Sequence, residues 1–261
     1  MKGKRLDVYL AESGLVESRE KARALIMAGR VLVDGKVVDK PGYRLKGGEK
    51  VELKEGPRFV SRAGEKLDKA LKDFSLNPKG WTVLDVGSST GGFTDCLLQH
   101  GAKRVYAVDV GTGQLDYRLR KDPRVVLYEQ TDARELTDEH VPEKVDLITC
   151  DVSFISATKV LPAVLPFLKE DGYLLVLVKP QFELTPKQVR KGIVRRLEDR
   201  REAVKKVINF LKEQGFKVLG VRKAFPRGSK GNEEFFVLAS RKGREVELEK
   251  AVEEALKEEP P

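Results

Sequence analysis

Asp85-Val-Gly87-Ser88-Ser89-Thr-Gly91-Gly92-Phe93 follows an apolar strand-like run and opens a helix-like one. Glycines at such a junction allow tight turns and close approach of a ligand to the backbone. The spacing is not G-x-G-x-x-G and carries no Walker-type lysine, so a dinucleotide or a triphosphate fits poorly. Three more carboxylates, Asp109, Asp132 and Asp151, follow later strand-like runs. Asp109 stands where a carboxylate accepts hydrogen bonds from ribose hydroxyls, and Asp132 where it faces an adenine amino group. One acid after each of four successive strands exceeds what helix caps require. The pattern favours S-adenosylmethionine over NAD, held by Asp85, Gly87, Ser88, Ser89, Gly91, Gly92, Phe93, Asp109, Asp132 and Asp151.

The reacting groups are narrowed by what is scarce. His100 and His140 are the only histidines, and neither sits in a triad or zinc motif. His100 precedes Gly101 at a helix end, where a cation complements the dipole. Cys96 and Cys150 are too few for a disulfide framework and lack metal-ligand spacing, so no metal is expected. Cys150 is the one thiol near the acidic edge, and it reads most simply as a small strand residue. Asp151-Val-Ser153-Phe154 contains no proline, unlike the (Asn/Asp)-Pro-Pro-(Tyr/Phe) motif of many base amino-group methyltransferases. A general base is therefore a lysine or a carboxylate. Lys179 ends the apolar run Leu174–Val178 and is held extended by Pro180. Lys66 and Glu234 can converge on the same edge, although Lys66 alone reads as a solvated helix residue.

Those side chains need a scaffold. Strand patterns occupy 82–86, 104–110, 125–129, 145–150 and 173–178, with helical patterns between most of them. Runs rich in Val, Leu and Ile, covered on both faces, predict a parallel doubly wound α/β sheet. Strands at 217–221 and 235–239, separated by the turn-rich 226–231, predict an antiparallel seventh strand. Helices are expected from Ser61, as a cap, near 200–214 and over 245–259. Ahead of this region two short helices precede strands at 31–33, 37–38 and 51–53, a small α+β unit.

Composition agrees with a nucleic-acid partner. The chain has 261 residues and a net charge of +9. Residues 1–60 hold 14 Lys+Arg against 9 Asp+Glu, an excess of +5 in under a quarter of the length. Such asymmetry points to a phosphate-rich ligand. Abundant Lys and Glu with few Asn, His, Met and Cys has a thermophilic look. No apolar run reaches membrane-spanning length and no secretory leader is seen, so a cytoplasmic protein without membrane attachment is expected.

Arg5-Leu-Asp-Val-Tyr-Leu, Ser18-Arg-Glu-Lys-Ala-Arg-Ala-Leu-Ile and Gly29-Arg-Val-Leu-Val-Asp-Gly resemble the αL-type RNA-binding module. That module is shared by a small-subunit ribosomal protein, several pseudouridine synthases and bacterial tyrosyl-tRNA synthetases. A longer resemblance runs from Arg5 to Phe236. Ser61-Arg-Ala-Gly-Glu-Lys66-Leu, Gly87–Thr94, Asp109-Val-Gly-Thr-Gly-Gln-Leu, Asp151-Val-Ser-Phe-Ile-Ser and Val178-Lys-Pro-Gln-Phe-Glu183 are similar to the TlyA (haemolysin A) family.

The family joins this module to an FtsJ-like methyltransferase domain and methylates ribose 2′-hydroxyls of ribosomal RNA with S-adenosylmethionine. The resemblance implies an RNA-binding domain over 1–54, a linker over 55–60 and a methyltransferase domain over 61–261. It also implies a seven-stranded, mostly parallel Rossmann-like sheet. The family's Lys-Asp-Lys-Glu tetrad falls on Lys66, Asp151, Lys179 and Glu234, with Glu233 beside it as a one-residue ambiguity. RNA contacts are expected from Arg5, Arg19, Lys21, Arg23 and Arg30, and the partner is ribosomal RNA or a ribosomal subunit. The turn 227–231 is more basic than the family pattern. Rival readings are a base methyltransferase, an inactive RNA-binding or assembly protein and, with least support, a haemolysin.

Overall fold

The computed structural model describes residues 2–261 and divides into two compact units, one ending at Arg58 and one spanning Phe59–Pro261. In the first, α1 (Leu6–Glu12) and α2 (Arg19–Met27) pack on a three-stranded antiparallel sheet. Its strands are β1 (Val31–Val33), β2 (Lys36–Val37) and β3 (Val51–Leu53), in the order β2-β1-β3. Ser18 caps α2 by accepting the Lys21 amide at 3.2 Å, as its position predicts. The helical spacing of Leu6, Leu10, Ala22 and Ile26 puts them in one core with Val31, Val33 and Leu45.

The second unit begins with α3 (Arg62–Asp73), β4 (Thr82–Val86), α4 (Gly92–Gln99) and β5 (Arg104–Val108). It continues with α5 (Tyr117–Arg120), β6 (Val125–Tyr128), β7 (Val145–Cys150), α6 (Ala157–Val164), β8 (Leu168–Val178) and α7 (Pro180–Glu183). Then come α8 (Leu197–Glu213), β9 (Lys217–Lys223), β10 (Phe235–Ser240) and α9 (Leu248–Lys257). The seven strands follow the order β6-β5-β4-β7-β8-β10-β9, with β10 alone antiparallel to its neighbours.

Strand alternation divides the core between the two faces. Leu84, Tyr106, Ile148, Leu174, Val176 and Val237 share a cluster with residues of α6, α8 and α9. Val83, Val105, Leu147, Leu175 and Phe236 share the other with α3 and α4. Because β4 lies between β5 and β7, the chain leaves its carboxyl end in a cleft where the strand order reverses.

Several bounds differ from the sequence reading. β5 stops at Val108, leaving Val110 73% exposed. β8 starts at Leu168, five residues early, because its first turn of sequence, Lys169-Glu-Asp171, is charged and shows no apolar period. Ser61 occupies the N-cap of α3 but its hydroxyl makes no cap bond there. No helix among the described residues is long and apolar enough to cross a membrane.

Candidate active site

The turn after β4 is dictated by crowding. Gly87 has φ +83°, and a Cβ on it would lie 2.0 Å from the carbonyl oxygen of Asp151. Only glycine lets the ends of β4 and β7 approach this closely. The Ser89 amide donates to Asp109 Oδ2 at 2.7 Å and the Gly111 amide to Asp109 Oδ1 at 2.8 Å, which fixes that carboxylate at the end of β5. A crevice of about 480 Å³ opens here, bounded by Gly87, Ser89, Asp109, Asp132, Asp151 and Phe154 among others. A recess of about 150 Å³ shares Gly87, Ser89, Asp151 and Ser153 with it and is also lined by Ser88, Gly92, Phe93 and Lys179. The Ser88 hydroxyl is buried without a hydrogen-bond partner. Asp132 lines the crevice while its carboxylate is paired with Arg134 at 2.6 Å.

Two expected cofactor ligands stand elsewhere. Asp85 is fully buried and lines neither cavity. It accepts Thr94 Oγ1 at 2.8 Å and Thr149 Oγ1 at 3.0 Å. Burial pushes its carboxyl up to about 7, against those two hydroxyls, with Asp151 and Asp109 adding repulsion. As the fourth residue of a central strand, it faces the interior and not the cleft. Gly91 is the N-cap residue ahead of α4, outside both cavities and beside Leu115 and Leu119.

The four charged residues form two ion pairs. Lys179 Nζ lies 2.5 Å from Asp151 Oδ1 and donates to Ser153 Oγ at 3.0 Å. Lys66 Nζ lies 2.9 Å from Glu234 Oε2, and Gln181 Nε2 donates to Glu234 Oε1 at 3.0 Å. β8 and β10 pair Val178 with Phe235, so Lys179 and Glu234 are the next residues along that ladder. Three of the four come from strand ends; Lys66 arrives from α3, where it is buried and not the solvated residue its helix suggests.

Glu233 and Glu234 separate cleanly. Glu233 binds Arg200 at 2.9 Å and both Lys223 and Arg227 at 3.3 Å, away from Lys66. The basic turn is held by its own contacts: Arg62 donates to the Arg227 carbonyl at 3.2 Å and Lys230 to the Lys191 carbonyl at 2.9 Å. Gln181, Ser153 and Gly228 escaped the sequence reading. A Cβ at Gly228 would meet Glu234 Oε1 at 1.9 Å, a restriction no local pattern reveals.

Cys150 is wholly buried, and burial beside Asp151, Glu183 and Asp85 pushes its thiol far up, leaving no thiolate for nucleophilic attack. His100 bonds Asp68 at 2.7 Å; with Cys96 they bring three ligand-type atoms within 4.8 Å of one another, a grouping absent from the sequence spacing.

In the first unit Arg5 and Arg19 both bind the buried Asp7 carboxylate, each at 3.0 Å. Lys21 pairs with Glu17, Arg30 donates to the Lys54 carbonyl at 3.2 Å, and Arg23 is exposed.

Residues 59–241 match the model of the FtsJ-like methyltransferases and residues 4–51 that of the S4 domain. The 16S/23S rRNA (cytidine-2′-O)-methyltransferase TlyA of Mycobacterium tuberculosis is 40% identical, with 98% of each chain covered. Hemolysin A of Brachyspira hyodysenteriae is 42% identical over 88% of this chain and 97% of its own. A solved structure described as a hemolysin from Streptococcus thermophilus superposes with a TM-score of 0.74 at 39% identity, covering 98% of this chain and 95% of the other.

Proposed function

The chain belongs to the TlyA (hemolysin A) family of FtsJ-like methyltransferases bearing an S4 domain, and on that premise we propose that it transfers a methyl group from S-adenosylmethionine to a ribose 2′-hydroxyl of ribosomal RNA. The observation that carries this reading is the pair of lysine–carboxylate contacts, Lys179–Asp151 at the acidic crevice and its recess, and Lys66–Glu234 beside it. The β8–β10 ladder brings Glu234 next to Lys179, although Lys66 and Glu234 line neither cavity.

The crevice suits the cofactor in size and in donor chemistry. Its volume lies in the range of small-molecule sites. Asp109 is already oriented by two amides and keeps lone pairs for ribose hydroxyls, while the unpartnered Ser88 hydroxyl offers a further polar contact in the adjoining recess. Val110, Val152 and Ile155 supply apolar walls for an adenine ring. When bound, S-adenosylmethionine supplies an electrophilic methyl group on a cationic sulfur.

The chain's own residues then act on the nucleophile. Lys179, at the rim of the smaller recess, holds the 2′-oxygen; to act as its base the ammonium must first pass a proton to Asp151 or to solvent. The neutral amine then takes the hydroxyl proton as the new O–C bond forms and the methyl's bond to sulfur breaks. Asp151 and Ser153 fix the direction of its amine. Glu234, locked by Gln181, holds Lys66 on the same edge, so the hydroxyl meets a prearranged electrostatic surface. Positioning is a large part of the catalysis, because the methyl group needs no further activation. Methylation of a pyrimidine carbon is disfavoured by the inert Cys150, since that chemistry needs a thiolate.

Incubation of ribosomal subunits with tritiated S-adenosylmethionine, followed by digestion to nucleosides, tests the reading. A labelled 2′-O-methyl nucleoside is expected; a base-methylated one overturns it. Lys179→Ala is expected to slow transfer by about 10²–10⁴-fold with cofactor and RNA binding retained.

A further inference from the structure

Between α7 and α8 the chain forms a loop with an unusual charge arrangement. Lys187, Arg190, Arg195 and Arg196 are all exposed and line one cavity of about 390 Å³. Of the four, only Arg196 has a carboxylate within 4.0 Å among the described residues, Glu198 at 3.9 Å. Neighbouring cations are neutralised instead: Arg200 by Glu233 at 2.9 Å and Lys206 by Glu183 at 3.1 Å. The one acid at the cavity, Asp199, is buried and accepts Gln188 Nε2 at 3.0 Å. Three cations with no carboxylate partner, and a fourth only loosely paired, repel each other around one hollow, and a bound anion would relieve that repulsion.

The loop is also rigidly mounted. Arg190 and Ile193 exchange backbone hydrogen bonds at 3.1 and 3.0 Å across a tight turn. The buried Asn232 clamps that turn: its Nδ2 donates to the Gly192 carbonyl at 2.8 Å, and its Oδ1 accepts the Val194 amide at 3.0 Å. Asn232 stands two residues before Glu234, so the clamp ties the cationic hollow to the edge that carries the reacting lysines.

We propose that this cavity is a docking site for the phosphate backbone of the RNA being methylated, separate from the S4 unit. The inference rests on the ribosomal RNA reading given above. Guanidinium forks match phosphate oxygens in pairs, and a preorganised set of cations binds a polyanion without first ordering the loop. Docking beside Glu234 holds the strand at the crevice, while the S4 unit contributes affinity of its own.

The full-length protein and in-vitro-transcribed 16S and 23S ribosomal RNA provide the test, by filter binding between 50 and 200 mM KCl. Lys187→Gln/Arg190→Gln/Arg195→Gln/Arg196→Gln is expected to bind at least about tenfold more weakly, with a log–log salt slope shallower by about two to three. A charge-matched control, Lys205→Gln/Lys212→Gln/Lys217→Gln/Lys250→Gln, is expected to shift affinity by less than about twofold. S-adenosylmethionine binding, read by calorimetry, stays unchanged in both and reports an intact fold. Wild-type affinity and slope in the loop variant overturn the docking site. If Arg23→Gln/Arg30→Gln in the S4 unit weakens binding in that same series, the ribosomal RNA reading survives the loss. Absence of RNA binding by the wild type removes both.

Discussion

Asp85 shows how position along a strand separates residues that look alike in sequence. Four acids were expected at one ligand edge, yet Asp85 is enclosed by Thr94 and Thr149 while Asp109, Asp132 and Asp151 reach the crevice. Its carboxyl titrates near 7 in the folded chain, above its ordinary 3.8. The folded state is therefore favoured fully below about pH 4, and that favour is lost as pH rises from there through 7. The loss is on the order of 4 kcal/mol at most, before the protein relaxes around the charge. Asp85→Asn removes this titration. Urea unfolding at pH 5 and pH 8 is expected to show a smaller fall in stability for the variant than for the wild type. Equal falls would show that Asp85 is not the buried titrating acid. Cofactor affinity of the variant is expected to stay within about threefold of wild type, because residue 85 lines neither cavity.

At the scale of elements, the hairpin β9–β10 carries the most consequence. The sequence spacing located both strands and the turn between them, because apolar runs flanking a Pro- and Gly-rich segment have few other solutions. The Gly-Asn-x-Glu spacing favoured Glu234 for the site, with Glu233 beside it as a one-residue ambiguity. Alternation decides: neighbouring residues on an extended chain point to opposite sides, so Glu233 meets Arg200 and Glu234 meets Lys66. Gly228 packs against that second carboxylate with ordinary dihedrals, φ −71° and ψ −171°. Gly228→Ala therefore acts by steric contact alone. It is expected to push Glu234 off Lys66 and lower kcat by at least about tenfold, with KM for RNA changed far less. A steady-state comparison with wild type checks this; unchanged kcat would mean that Glu234 does not need its present position.

On the scale of the whole molecule, the two units respond differently to acid. Asp7 is fully buried in the first unit between Arg5 and Arg19, and its hydrogen bonds to Arg5 hold its carboxyl at about 2. A depressed folded-state value means that stability is present above about pH 4 and lost as pH falls through 2. Asp7→Ala leaves two arginines without their shared acid and is expected to destabilise this unit by about 1–3 kcal/mol at neutral pH. Amide exchange at Leu10 and Ile26 should accelerate in the variant while that at Val176, in the sheet of the second unit, does not. Parallel acceleration at all three positions would show that the two units unfold as one.

The sequence alone determined the order of seven strands' worth of apolar runs, the glycine turn after the first and the acids following several of them. Those features are local: strand period, turn chemistry and the direction of the chain out of a parallel sheet leave their marks within a few residues. The tertiary structure decided which charges meet. Lys66 and Glu234 are 168 residues apart, and their pairing depends on how α3 packs against the sheet. The same holds for the withdrawal of Arg5 and Arg19 to Asp7 and for the gathering of four cations, three of them without a carboxylate partner among the described residues, between α7 and α8. A charge in a sequence has no partner until packing brings one within a few ångströms, where Coulomb attraction outweighs hydration.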